Sequence, residues 1–329
     1  MTHILLLGAG FSRNWGGLLA DEFFDSLVGA PEAREDKIIR DLLWKYKGNG
    51  GFEHALSELQ TAYTREPAKF EDSLKHMQTA ILRTLELMNE MFLQRTGIEF
   101  QQHRERMLRT FFFKFDAIFT LNQDVLLEHH YCRRGDLVDA ANWLGAQLPG
   151  MKRIPSEEYP HDPSWGRDLW VPRAPAEFLV ESNSQPIFKL HGSANWRDKE
   201  DGPLLVIGGD KTHEIESHEV LSWYFRNFRE YMLRPNSKLF VIGYGFKDLH
   251  VNELIIDSVM NHGLEFFVLD KFGSDVVKHA NPSFGGAIYA PNALDEAFEQ
   301  GLLGASSRNL SETFGDDSVS HATVMRFLG

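Results

Sequence analysis

The stretch Ile187-Phe188-Lys189-Leu190-His191-Gly192-Ser193 is an apolar run that ends abruptly in an imidazole, a glycine and a hydroxyl. Thr120-Leu121-Asn122-Gln123-Asp124 ends another apolar run with an amide and a carboxylate, and Gly8-Ala9-Gly10-Phe11-Ser12 follows a third. Polar groups at the exits of buried strands are where open α/β sheets hold their ligands. Three such clusters in one chain predict a nucleotide site with a base in it.

Working outward, the apolar runs 4–7, 117–121, 186–190, 238–242 and 265–269 are short, non-alternating and bounded by glycine or polar turns. That pattern suits strands buried on both faces of a parallel sheet. Helical patterns follow at 18–28, 124–134 and 248–262, and 204–207 and 287–289 are further strand candidates. The expected fold class is α/β: a Rossmann-like parallel sheet with helices on both faces and a helical subdomain inserted at residues 31–115. Within the insertion, Leu74, Met77, Ile81, Leu85, Met88 and Phe92 recur at spacings of three and four. This puts all of them on one helix face, as a core stripe or an oligomer interface. Residues 143–186 contain Pro149, Pro155, Pro160, Pro163, Pro172 and Pro175. The prolines are expected to break regular elements there and leave a lid, or a surface loop over packed tryptophans.

With 329 residues, 43% apolar and 12% aromatic, the chain has ample material for a packed core. Its formal net charge of −13 disfavours a direct nucleic-acid footprint, which needs clustered lysine and arginine. The one cysteine, Cys132, excludes an internal disulfide and a cysteine zinc ribbon, and fits a reducing cytoplasm. The N-terminal apolar run is too short for a signal sequence, and no run approaches the roughly 20 residues that span a bilayer.

Each cluster has a chemical reading. Gly8, Ala9 and Gly10 allow a tight turn that presents bare N–H groups to a pyrophosphate, with Ser12 and Arg13 as added donors. Arg13 stands where the usual dinucleotide fingerprint has its third glycine, and no convincing acidic residue follows about 20 residues later, so this is not an ordinary dehydrogenase loop. Asn122 and Asp124 both face the crevice at a strand exit, where Asp124 is equally a helix cap. His191 supplies a titratable ring beside a residue with no side chain. Gly243, Tyr244 and Gly245 form another glycine-rich exit, followed by Asp248, His250 and Asn252, and Asp270 ends the last run, where a carboxylate can accept from ribose hydroxyls. The histidines show no metal-ligand spacing, so no metal is expected.

Taken as a set, these motifs resemble the sirtuin superfamily. The extended forms Gly10-Phe11-Ser12-Arg13-Asn14-Trp15-Gly16-Gly17, Leu190-His191-Gly192-Ser193-Ala194-Asn195-Trp196 and Gly243-Tyr244-Gly245-Phe246-Lys247-Asp248-Leu249-His250-Val251-Asn252 look like bacterial sirtuin-like NAD+ hydrolases of anti-phage defence. The resemblance covers roughly residues 1–290 and implies a single NAD-binding domain over 1–329. It also implies that Asn122 orients the ribose and attacking water, Asp124 helps hold the carboxamide, and His191 acts near the ribose hydroxyls. Gly8, Ala9, Gly10 and Ser12 would cradle the pyrophosphate. Sirtuin deacylases carry a four-cysteine zinc module that a chain with one cysteine cannot build, so no zinc is expected and acyl-lysine peptide binding is in doubt.

The activity so implied is NAD+ glycohydrolysis that depletes the cofactor in abortive infection, with NAD+ as substrate. Regulation is expected from homo-oligomerisation or a separate subunit such as a HerA-type ATPase. A non-catalytic NAD+ or ADP-ribose sensor and an ADP-ribosyltransferase are the alternatives.

Overall fold

The computed structural model describes residues 1–48, 50–103, 106–132, 144–158, 166–208, 211–280 and 292–329. The strand candidate at 287–289 and the end of the helical run 124–134 lie outside the described residues. Seven parallel strands form the central sheet: β1 (Thr2–Leu7), β2 (Ala117–Thr120), β3 (Ala146–Gln147), β6 (Gln185–Lys189), β9 (Ser237–Ile242), β10 (Glu265–Leu269) and β11 (Leu302–Ser306). Their spatial order is β11-β10-β9-β1-β2-β6-β3. A second sheet has the order β4-β5-β7-β8, from β4 (Met151–Ile154), β5 (Leu169–Pro172), β7 (Gly192–Arg197) and β8 (Pro203–Leu205).

Both faces of the main sheet are covered, as expected for an α/β sheet. On one face Phe119 of β2 stacks on Phe188 of β6, with ring centroids 4.8 Å apart, and Phe228 and Tyr231 of helix Glu219–Met232 close over them. On the other, Phe240 of β9 stacks on Phe267 of β10, also at 4.8 Å, beneath Phe111 and Phe327. Strand register puts Phe119 and Phe240 on opposite faces, because β1 pairs Leu6 with Phe119 and the neighbouring Leu5 with Phe240.

The helical insertion is a unit with its own core. Phe23, Phe24 and Leu27 pack with Ile39, Leu43, Leu56, Leu59, Met77, Ile81 and Leu85, apart from the core of the sheet. The packed unit is offset from 31–115: it begins in helix Ala20–Gly29, while Leu108, Phe111 and Phe112 belong to the main core. Its long helix, Pro67–Leu93, buries Met77, Ile81 and Leu85 against the insertion and Phe92 against the sheet, so the stripe is internal.

The proline-rich segment differs from expectation. Residues 143–186 are not irregular throughout: β3, β4 and β5 lie within them. Pro172 is the last residue of β5, opposite Met151 of the edge strand β4. Proline is tolerated at strand ends and in short edge pairings, where one missing donor costs little. The strand β11 has no continuous apolar run, since Gly304, Ala305 and Ser306 follow two leucines at the sheet edge.

Chain order reverses at β1, because the path runs from β1 through β2 to β6 and then returns to β9 on the other side. That is a topological switch point, and a crevice outside the carboxyl ends of β1 and β9 is the expected binding locus. There the two exits meet backbone to backbone. A Cβ on Gly243, at φ +62°, would lie 2.3 Å from the Gly10 carbonyl carbon, and one on Gly8 would lie 2.6 Å from the Gly243 oxygen. Gly243→Ala should therefore destabilise the fold by more than about 2 kcal/mol, as core overpacking and a forbidden backbone angle combine. A urea-unfolding midpoint within error of the parent would contradict this contact.

Candidate functional site

Four strand exits are stitched into a ring. The Gly10 amide donates to the Gly243 oxygen at 2.9 Å, joining β1 to β9. Asn122 Nδ2 donates to the Gly8 oxygen and to Ser12 Oγ, both at 2.9 Å, joining β2 to β1. Ser12 Oγ in turn donates to Asp124 Oδ2 at 2.6 Å, and Asp124 Oδ1 accepts the Leu126 amide at 3.0 Å at the start of helix Leu126–His130. Lys189, the last residue of β6, donates to the Asp124 carbonyl oxygen and to Glu128 Oε1, the latter at 2.6 Å. On the far side, Tyr244 Oη accepts the Asp248 amide at 3.2 Å and donates to Asn252 Oδ1 at 2.8 Å, fixing the loop after β9.

His191 closes the ring. Gly192, at φ +73°, turns the chain from β6 into β7, and a Cβ there would lie 2.1 Å from the Leu204 oxygen. This sharp turn directs His191 towards the β9 side, where its Nε2 lies 3.1 Å from Nε2 of His250. Asp248 stands beside both rings and is held by Lys211 at 2.6 Å, which also bonds Glu53 of the helical insertion at 2.8 Å. Burial lowers the pKa of His191 to about 3, against the opposing pull of Asp248, so the ring is neutral at ordinary pH. Burial raises Asp248, yet the Lys211 ammonium outweighs it and holds the carboxyl below its usual range. Burial lowers Lys211, and Asp248 and Glu53 more than reverse that.

The predicted residues thus fall into two groups. Ser12, Asn122 and Asp124 converge, and with Phe11, Thr120, Leu127 and Lys189 they line a tight recess with no room for a water molecule. His191 pairs with His250 instead and shares no hydrogen bond with Asn122 among the described residues. The groups are linked through the main chain, since the Gln123 oxygen accepts the Ala194 amide at 2.8 Å and Ser193 Oγ at 3.3 Å.

Several residues serve other ends than those expected. The Gly8 and Gly10 amides are not bare donors: they bond the Ile242 and Gly243 oxygens, because these glycines exist to let two backbones touch. Ala9 begins the short helix Ala9–Ser12. Arg13 pairs with Glu22 at 2.7 Å on the surface, and Tyr244 is buried within its loop. Gly245 has open space where a side chain would be, and Asp270 accepts the Phe272 amide at 3.0 Å, its carboxyl raised by burial. Sequence reading missed Lys189, Glu128, Lys211 and Glu53. A lysine at the end of an otherwise apolar strand was the one signal, because a cation there must find a buried anion.

Asn122 carries the clearest chemical potential. Both hydrogens of its amide nitrogen are committed, which leaves Oδ1 as an acceptor with no hydrogen bond among the described residues. Asp124 holds Ser12 through Oδ2 and the Leu126 amide through Oδ1, and through Ser12 it positions Asn122.

Residues 116–279 match the family model described as SIR2-like domain. The match takes in β2, β6, β9 and β10 and with them Asn122, Asp124, His191, Asp248 and His250, and it supports a place in the sirtuin-like superfamily with NAD-related function. No curated protein matches the chain. Among the described residues, no helix is long and apolar enough to cross a membrane.

Two outcomes test this geometry. Lys189 and Glu128 are 1% and 0% exposed, so Lys189→Met strands a buried carboxylate and should cost about 3–5 kcal/mol. Adding Glu128→Leu should recover much of that loss in equilibrium unfolding, and a double mutant no more stable than the single would refute the pairing. The depressed pKa of His191 means that the unfolded chain binds a proton the fold refuses. Stability should be full above pH 6.5 and fall as pH drops towards 3, with a shallower decline in His191→Gln, measured by denaturation at stepped pH.

Proposed function

We propose that the chain is an NAD+ glycohydrolase that cleaves the nicotinamide–ribose bond, releasing nicotinamide and ADP-ribose, and that this depletes NAD+ in anti-phage defence. The observation that carries the reading is Asn122. Its amide is locked by Gly8 and Ser12 at the exit of β2, with its oxygen left to accept from a ribose hydroxyl or the attacking water. The SIR2-like match supports NAD+ as the substrate class.

Each group has a definite part in that reaction. Breaking the bond to nicotinamide develops positive charge on the ribose, an oxocarbenium-like state favoured by fixed dipoles in a dry site. Asn122 Oδ1 presents such a dipole, and Asp124 holds it in place through Ser12. A neutral His191 contributes a hydrogen bond to the ribose hydroxyls rather than a strong base, given its low pKa.

The recess beside Asn122 has no room for a water molecule, whereas ligand sites usually offer roughly 300–1,000 Å³. NAD+ therefore requires the surrounding loops to open. This agrees with a lethal activity held off until the chain assembles with itself or with a partner such as an ATPase. The separation of His191, paired with His250, from Asn122 favours one rival reading, a non-catalytic NAD+ or ADP-ribose sensor.

Nicotinamide release from NAD+ by the purified chain, with and without the product of a neighbouring gene, separates the two. Hydrolysis predicts turnover that falls by at least about 10²-fold in Asn122→Ala and in His191→Ala. Saturable binding of NAD+ without turnover under any condition would replace the enzyme with the sensor.

A further inference from the structure

We propose that His191, Asp248 and His250 form a binding site for a transition-metal dication of the zinc class. One ligand atom from each residue lies within 4.8 Å of the others. The two imidazole nitrogens, 3.1 Å apart, would each stand about 2.1 Å from a shared ion and subtend about 95° there, between octahedral and tetrahedral angles.

The ligands are held by different elements and need little rearrangement to meet an ion. His191 sits on the tight Gly192 turn and is buried. His250 is the second residue of helix Leu249–His262, with its ring 5.5 Å from that of Phe225. Asp248 is oriented through Oδ1 by Lys211, leaving Oδ2 for a metal, an outer-shell arrangement typical of ligating carboxylates. Asp248 and Glu53 together carry one more negative charge than Lys211, so the surroundings favour a dication despite the nearby ammonium. Two imidazoles and one carboxylate select Zn2+, Co2+ or Ni2+ over Mg2+ and Ca2+, which take oxygen ligands.

Occupancy has a functional consequence that rests on the hydrolase reading. An ion on His191 Nε2 takes the lone pair that would otherwise serve the ribose hydroxyls, so the metal is an inhibitor and not a cofactor.

The test uses the untagged full-length chain, freed of metal by a chelator that is then removed. Titration with Co2+ should give one equivalent bound with a visible d–d band, and Zn2+ should displace it. His250→Ala and the better-filling His250→Gln should each weaken Co2+ binding by at least about 10-fold. His54→Ala, an exposed histidine outside the cluster, should leave it unchanged. Absence of the band, or parental affinity in a folded His250→Gln, overturns the site. Zn2+ should also suppress nicotinamide release in the parent and do so less in His250→Gln, each relative to its own metal-free rate. A Co2+ band with zinc-insensitive turnover keeps the site and overturns the inhibition. A Co2+ band with no turnover under any condition leaves the site standing while the hydrolase reading fails.

Discussion

The arrangement depends on two backbones brought closer than any side chain allows. At the switch point of the sheet the exits of β1 and β9 touch through Gly8, Gly10 and Gly243, and the carbonyl of Gly243 receives the amide of Gly10. This contact sets where Ser12 and the Gly8 oxygen lie, and through them where Asn122 is pinned. The glycine-rich turn resembles a phosphate loop in sequence because both need bare backbone. Here that bareness is spent on intramolecular packing.

Around this contact, charge is placed inside the protein under tight control. Lys189 ends a buried strand and is satisfied by Glu128 and the Asp124 carbonyl, so the cation under the β2 exit doubles as a brace for it. Buried pairs of this kind confer little net stability but penalise rearrangement, since separating the partners leaves an uncompensated charge in low dielectric. A second network, Glu53–Lys211–Asp248, runs on the β9 side from an exposed carboxylate inwards and keeps the Asp248 carboxylate beside two neutral imidazoles. One side of the crevice is thus organised by hydroxyl, amide and carboxylate, the other by imidazoles.

Much of this was legible in sequence wherever a single physical rule dominated. Strands buried on both faces need continuous apolar runs, and all five such runs are strands of the main sheet. The stripe from Leu74 to Phe92 is helical and mostly buried because helix period and burial coincide. Edge elements escaped, since β3 is two residues long and β11 carries glycine, alanine and serine, so neither has an apolar signature. Asn122 and Asp124 were readable from their place after a strand. The partnership of His191 with His250 was not, because it is made across the sheet by residues 59 apart in the chain and depends on the direction of the Gly192 turn.

One ammonium belongs to two masters. Lys211 is gripped at once by Glu53, on helix Gly51–Arg65 of the inserted unit, and by Asp248, next to the imidazoles. A rotation of the inserted unit that withdraws Glu53 hands the whole cation to Asp248, while one that drags Lys211 along strips Asp248 bare. Either displacement changes the electric field that Asp248 and Lys211 set at the two imidazoles. The charge on the β9 side of the crevice is thus shared with a unit that has a core of its own.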